Sequence, residues 1–205
     1  MNKPEPGSDF WNERFADEQY AYGKAPNSFV KETLAAIESR GKVLFPAEGE
    51  GRNAVYAAIK GWDVHAFDTS SEGRRKALEL ADEYGVIIQY DLYSYTEFNE
   101  ENTYDLIVAI FNHMPPSVRA EVHRKYVRAL KTGGLMILEG FNKKQLGNTS
   151  GGPKSLDMLL DIQTLQEDFS ELNLDKLTET TRVLSEGPFH SGHAELIQFI
   201  GTKNE

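Results

Sequence analysis

Two glycines one residue apart, Gly49 and Gly51, close the apolar run Val43-Leu44-Phe45-Pro46-Ala47 and precede the helix-compatible stretch Ala54-Val55-Tyr56-Ala57-Ala58-Ile59. Glycine lets a ligand approach the backbone, and the first N–H groups of a helix have no intrahelical partner. Strand, glycine turn and helix in that order therefore suit a nucleotide-like cofactor. Asp68 ends the next apolar run. A carboxylate there can accept both hydroxyls of a ribose, or it can cap the helix expected from Ser71, a task open to Thr69 and Ser70 as well. His113 and His190 are the candidate general bases toward a small-molecule substrate. His113 can equally satisfy backbone groups at a strand end. Arg119 either stabilises an anionic acceptor or pairs with a neighbouring carboxylate such as Glu121. His190 and His193 lack the further ligands zinc needs, so no metal site is expected.

The elements that must position these residues alternate. Helices are predicted over 9–17, 26–38, 51–60, 71–84, 116–130 and 156–169, and strands over 43–47, 63–67, 86–90, 104–111, 135–140, 176–184 and 195–201. The runs Leu106-Ile107-Val108-Ala109-Ile110 and Leu135-Met136-Ile137-Leu138 are continuous rather than alternating, as central parallel strands covered on both faces must be. The pattern predicts an α/β doubly wound, mostly parallel sheet with helices on both faces.

The dinucleotide fingerprint wants a third glycine where Ala54 stands, and a phosphate-binding P-loop wants Gly-Lys-Ser/Thr; neither is present. Gly49-Glu50-Gly51-Arg52-Asn53-Ala54 instead resembles motif I of the class I S-adenosylmethionine-dependent methyltransferases, in the form of the tellurite-resistance and thiopurine methyltransferase-like branch. In that family an acidic residue commonly stands at the place of Phe45 and a glycine at the place of Ala47. Trp11-Asn12-Glu13-Arg14-Phe15, with Tyr20-Ala21-Tyr22-Gly23 and Pro26-Asn27, resembles the branch's N-terminal lid; the alternative is a capping helix stapled by Trp11 and Phe15. Ile110-Phe111-Asn112-His113-Met114-Pro115-Pro116 is similar to the family's segment facing the transferred methyl, with Arg119 just beyond. The separation of Asn112 from the prolines argues against the amide- and adenine-methylating classes. Glu139-Gly140-Phe141, Gln145-Leu146-Gly147, Thr149-Ser150-Gly151-Gly152-Pro153 and Glu186-Gly187-Pro188-Phe189-His190-Ser191-Gly192 are similar to elements of one bacterial group in the branch. The resemblance implies a seven-stranded fold closed by a hairpin, a lid over 1–40 on a domain over 41–205, and S-adenosylmethionine as cofactor. It further implies cofactor contacts at Trp11, Tyr22, Ala47, Glu48, Gly49, Gly51, Arg52, Asn53, Asp68, Thr69, Asp91, Leu92, Ile110 and Phe111, with Asp91 on the adenine or merely opening a solvated turn. Lid and loops would enclose an acceptor pocket lined by Trp11, Phe15, Tyr22, Phe111, Phe141 and Phe189.

The 205 residues carry a net charge of −10, which disfavours a nucleic-acid partner, because such affinity rests on Lys and Arg neutralising phosphates. With no cysteine there is neither disulfide nor thiolate chemistry. The polar segment Met1 to Asp9 and the lack of a long apolar run lead to the expectation of a cytoplasmic protein without a membrane partner, monomeric or homodimeric, acting on a small molecule. A non-enzymatic cofactor-binding module is the second reading and a dinucleotide oxidoreductase the third.

Overall fold

Each predicted apolar run enters one sheet. The computed structural model describes residues 7–204; the first six residues of the expected lid and of the polar N-terminal segment lie outside the described residues. In chain order the elements are α1 (Ser8–Phe15), α2 (Ser28–Ala36), β1 (Lys42–Pro46), α3 (Arg52–Ile59), β2 (Asp63–Asp68), α4 (Ser71–Glu83), β3 (Gln89–Leu92), β4 (Tyr104–Ile110), α5 (Pro116–Ala129), β5 (Leu130–Phe141), α6 (Ile162–Asp168), β6 (Leu172–Ser185) and β7 (Ser191–Lys203). The seven strands lie in the order β3-β2-β1-β4-β5-β7-β6. The first five pair in parallel, and β7 runs antiparallel to both β5 and β6. Strand order reverses between β1 and β4, so the carboxyl ends of these strands form the crevice where open α/β sheets bind ligands.

Apolar clusters cover both faces. On one, Phe29, Leu34, Val55, Ala77 and Leu80 of α2, α3 and α4 pack on Phe45, Leu106 and Ile137; on the other, Val122, Tyr126, Leu165 and Phe169 of α5, α6 and the turn after it pack on Ile107, Met136 and Leu138. Phe45, at the place where the family has an acid, is wholly buried in the first cluster. Its role is packing.

Three elements differ from expectation. Strand β3 begins at Gln89, because the Val86 N–H turns back to the Ala81 carbonyl and closes the end of α4, leaving Ile87 exposed. The helix expected over 156–169 is broken: Leu160 bridges Asn142, and the Asp161 side chain then caps α6 by accepting from the Thr164 N–H at 2.7 Å. The expected lid also shortens, since α2 contributes Phe29, Val30 and Leu34 to the core and leaves α1 and the segment down to Asn27 as the covering part.

Candidate cofactor and acceptor site

Backbone shape defines the crevice first. Ala47, Gly49 and Gly51 have φ of +50°, +63° and +84°, so the loop after β1 turns through the left-handed region three times. Ala47 keeps the shape that the family's glycine adopts freely, at roughly 1–2 kcal/mol of strain for an L-residue. A Cβ on Gly51 would lie 2.5 Å from the Cβ of Ala77, so this glycine serves the packing of α3 on α4. A Cβ on Gly49 would meet the ring of Phe15 at 3.0 Å, so the open side of Gly49 faces the lid.

The first-turn N–H groups of α3, expected to be free, are not all so. Glu48 Oε1 accepts from the N–H of Asn53 and of Ala54, each at 2.8 Å. Burial drives this carboxyl up to about 7 even though both N–H bonds favour its charge. Asp68 accepts the Gly49 N–H on Oδ2 at 3.0 Å and the Ser70 N–H on Oδ1 at 2.9 Å. The cap of α4 is Ser70, whose Oγ accepts from the Gly73 N–H. Asp68 is therefore not the cap; it ties the glycine loop to the end of β2, 8% exposed, and its burial raises its carboxyl. Thr69 beside it is half-buried.

Several predicted contacts are engaged elsewhere. Asp91 lies inside β3, where its Oδ2 takes His65 Nε2 at 3.0 Å and Gln89 Nε2 at 2.9 Å; Leu92, in register with Asp68, is the residue exposed at the strand's carboxyl end. Asn53 Oδ1 accepts the Asn27 N–H, and Arg52 donates to the Tyr22 carbonyl at 3.1 Å while pairing with Glu186 at 2.9 Å. These two residues hold the lid and the β6–β7 tip to α3. Trp11 stacks on Phe15, and Asn12 Oδ1 accepts from Ser70 Oγ and the Glu72 N–H at the start of α4. Sequence reasoning missed Lys76, an exposed type by composition, which is buried with its ammonium against Glu50.

On the acceptor side, Ile110 is half-buried at the end of β4, and Phe111 follows with φ +53° and its N–H on the Glu139 carbonyl. The Phe111 ring lies 4.7 Å from Phe141 and 4.5 Å from His190, and Tyr22 lies 4.5 Å from His190 on another side. Arg14 donates to Tyr22 Oη and sits 4.0 Å over Phe189. The group-specific loops converge here: a Cβ on Gly151 would strike His190, on Gly152 Phe141, and on Gly187 the carbonyl of Ala21, each at 2.7 Å. Of the expected pocket residues, Tyr22, Phe111 and Phe141 thus meet around His190 with Phe189 against Tyr22, while Phe15 lies over Gly49 and Trp11 stacks on Phe15. Glu139, an acid inside an apolar strand, is buried and held by Asn27, Arg182 and Gln198 at 2.7–2.9 Å.

Two expected catalytic residues are corrected. His113 Nδ1 donates to the Met158 carbonyl at 2.9 Å and Nε2 accepts from the Phe141 N–H at 3.0 Å. With both nitrogens committed and burial holding its pKa near about 4, the ring has no lone pair for an acceptor. Arg119 pairs with Asp168, which His123 also contacts, so it joins α5 to α6 instead of facing the aromatic cluster.

Residues 43–134 match the family model described as "Methyltransferase domain". This stretch, from β1 into β5, is a methyltransferase domain. Among solved structures, the chain is similar to TehB from Haemophilus influenzae, at 17% identity and a TM-score of 0.74 over 96% of this chain and 67% of that one. It is also similar to a protein described by the conversion of a disulfide bond into a thioacetal group during echinomycin biosynthesis, with 14% identity, a TM-score of 0.76, and 96% and 89% of the two chains covered. A third is magnesium protoporphyrin IX methyltransferase from Synechocystis PCC 6803 with bound SAH, with 15% identity, a TM-score of 0.67, and 86% and 80% covered. No curated protein matches the sequence. The likenesses concern the fold, which this chain shares with all three. The crevice suits its cofactor, since Asp68 keeps lone pairs on both oxygens for ribose hydroxyls and Gly49 offers bare backbone once the Phe15 ring is displaced. Among the described residues no helix is long and apolar enough to cross a membrane, and no group of three or more His, Asp or Glu could hold a metal.

Proposed function

We propose that the enzyme methylates a small-molecule acceptor through a soft nucleophile, a thiol or another chalcogen, as in the tellurite-resistance and thiopurine methyltransferase-like branch. The observation that supports this reading is the aromatic cluster of Tyr22, Phe111 and Phe141 around His190, with Phe189 against Tyr22, at the carboxyl ends of β4 and β5. An enclosure of this kind favours a polarizable, weakly hydrated group over a polymer with a charged backbone. The similar fold associated with the conversion of a disulfide into a thioacetal lends support from sulfur chemistry.

In this reading Asp68 takes the ribose, Gly49 and Glu48 flank the methionine part, and Thr69, Leu92, Ile110 and Phe111 border the adenosine. The bound cofactor supplies an electrophilic sulfonium methyl. The lid and the β6–β7 tip exclude water and hold the acceptor in line, which is where rate is gained in a displacement of this kind. A panel of thiols, selenols, phenols and amines, assayed with S-adenosylmethionine, tests the reading. Methylation of the thiols and selenols is expected; turnover confined to phenols or amines would overturn it.

A further inference from the structure

We propose that Glu186 positions His190, and that the pair relieves a thiol acceptor of its proton within the aromatic enclosure. The inference rests on the small-molecule thiol reading above. His190 is 6% exposed, and its Nδ1 is buried without a hydrogen-bond partner. A buried polar atom left unpaired costs about 1–3 kcal/mol, so its retention calls for a reason. The nearest acceptor is Glu186 Oε2, 3.6 Å away, too far for a hydrogen bond and close enough to become one with a small rotation. The turn itself brings the two together: the Glu186 N–H donates to the His190 carbonyl at 2.9 Å, and Gly187 takes a φ of +94°. Nε2, the opposite nitrogen, faces Gly151, where an added Cβ would come within 3.1 Å.

Glu186 is fixed from both sides. Its Oε2 pairs with Arg52 of α3 at 2.9 Å, and its Oε1 with Arg182 of β6 at 3.2 Å. The charges acting on the ring are thus Glu186, Arg52 and the Arg14 guanidinium of α1, with His113 nearby and neutral and Arg182 behind Glu186. Burial, Arg52 and Arg14 lower the His190 pKa, and Glu186 opposes them. A neutral base with a carboxylate behind it results, attached through Arg52 to the glycine loop of the cofactor crevice.

A thiol of pKa about 8.5 is mostly protonated at neutral pH and attacks only as its anion. Nε2 takes the S–H proton as the acceptor sulfur bonds to the methyl and the methyl's bond to the cofactor sulfur breaks. The imidazolium so formed donates Nδ1–H to Glu186, and its Nε2 proton passes to water after product leaves.

Nitrogen-15 NMR of the imidazoles, with S-adenosylhomocysteine bound and His190→Asn used to assign the signal, tests this. The wild type is expected to show the Nδ1-protonated tautomer, and the His190 midpoint to fall by about one pH unit in Glu186→Gln. Glu186→Asp, which keeps the charge but withdraws it by one methylene, should give a smaller fall and guards against a folding defect in the first variant. An unchanged tautomer and midpoint in both variants overturns the proposal. Toward 2-mercaptoethanol, the wild type should exceed His190→Ala by about tenfold at neutral pH, with the ratio falling toward one above the thiol pKa; a ratio independent of pH also overturns it. Calorimetry of the wild type with S-adenosylhomocysteine separates the two readings. Absent binding removes the cofactor assignment, whereas binding with an unmoved His190 removes only the dyad.

Discussion

The Lys76 ammonium lies 2.6 Å from Glu50 Oε1, with both side chains nearly inaccessible to water. Glu50 is the residue between the two glycines of the loop after β1, and its Oε2 also accepts the Tyr22 N–H. Lys76 spends its other protons on the carbonyls of Asp17 and Gln19, at 2.7 and 3.0 Å. One buried ion pair thereby fastens the segment from Asp17 to Tyr22 to the glycine loop after β1.

Removing one partner of a buried pair strands the other charge. Lys76→Met should lower stability by about 3–5 kcal/mol in urea unfolding, and Glu50→Gln combined with Lys76→Met should recover part of that loss. A single variant costing less than about 1 kcal/mol would show that the pair does not hold the lid.

The two glycines should fail differently. Gly51→Ala drives a methyl into Ala77 and a left-handed φ, so thermal unfolding should shift down strongly whether or not cofactor is present. Gly49→Val meets only the movable Phe15 ring and the same kind of backbone strain. It should leave a folded protein that calorimetry finds unable to bind S-adenosylmethionine, and retained binding would misplace the crevice.

Asp68→Ala should weaken S-adenosylmethionine binding by about 1–3 kcal/mol. It also orphans the Gly49 and Ser70 N–H groups, so stability must be measured alongside. A stability loss with unchanged affinity would reduce Asp68 to a loop tether.

His113 gives a pH signature. Its folded pKa of about 4 lies below the unfolded value of 6.5, so the native state binds fewer protons there, and the ring destabilises the fold as pH falls from 6.5 toward 4 while costing nothing above 6.5. The destabilisation caused by His113→Gln should accordingly be smaller at pH 5 than at pH 7.5, by about 2 kcal/mol. An equal cost at both pH values would mean that the ring titrates normally.

The alternation of strands and helices, the glycine loop and the placement of Asp68 at a strand end were legible because hydrophobic runs and glycine punctuation are local signals. Val86 and Ile87 misled for the same reason: two β-branched residues look like strand until the Val86 N–H closes a helix. His113 and Arg119 carried the residue types of catalysis, but their partners, Met158 and Asp168, are distant in sequence and nothing local marks them. The Lys76–Glu50 pair was hidden likewise, since a lysine in a helix ordinarily reads as solvated surface.

The sheet's two outer strands differ in how they meet solvent. Strand β3 has four residues, whereas β6 has fourteen and an unpaired row of N–H and C=O groups along its outer side. A long open edge is a template for strand addition by another molecule and hence for aggregation. Asp175, Lys176, Glu179 and Arg182 interrupt β6 with charge, although Val183 stands 74% exposed near its end. Brevity on one side and charge on the other work against polymerisation through the sheet, and Val183 marks the place where that protection is thinnest.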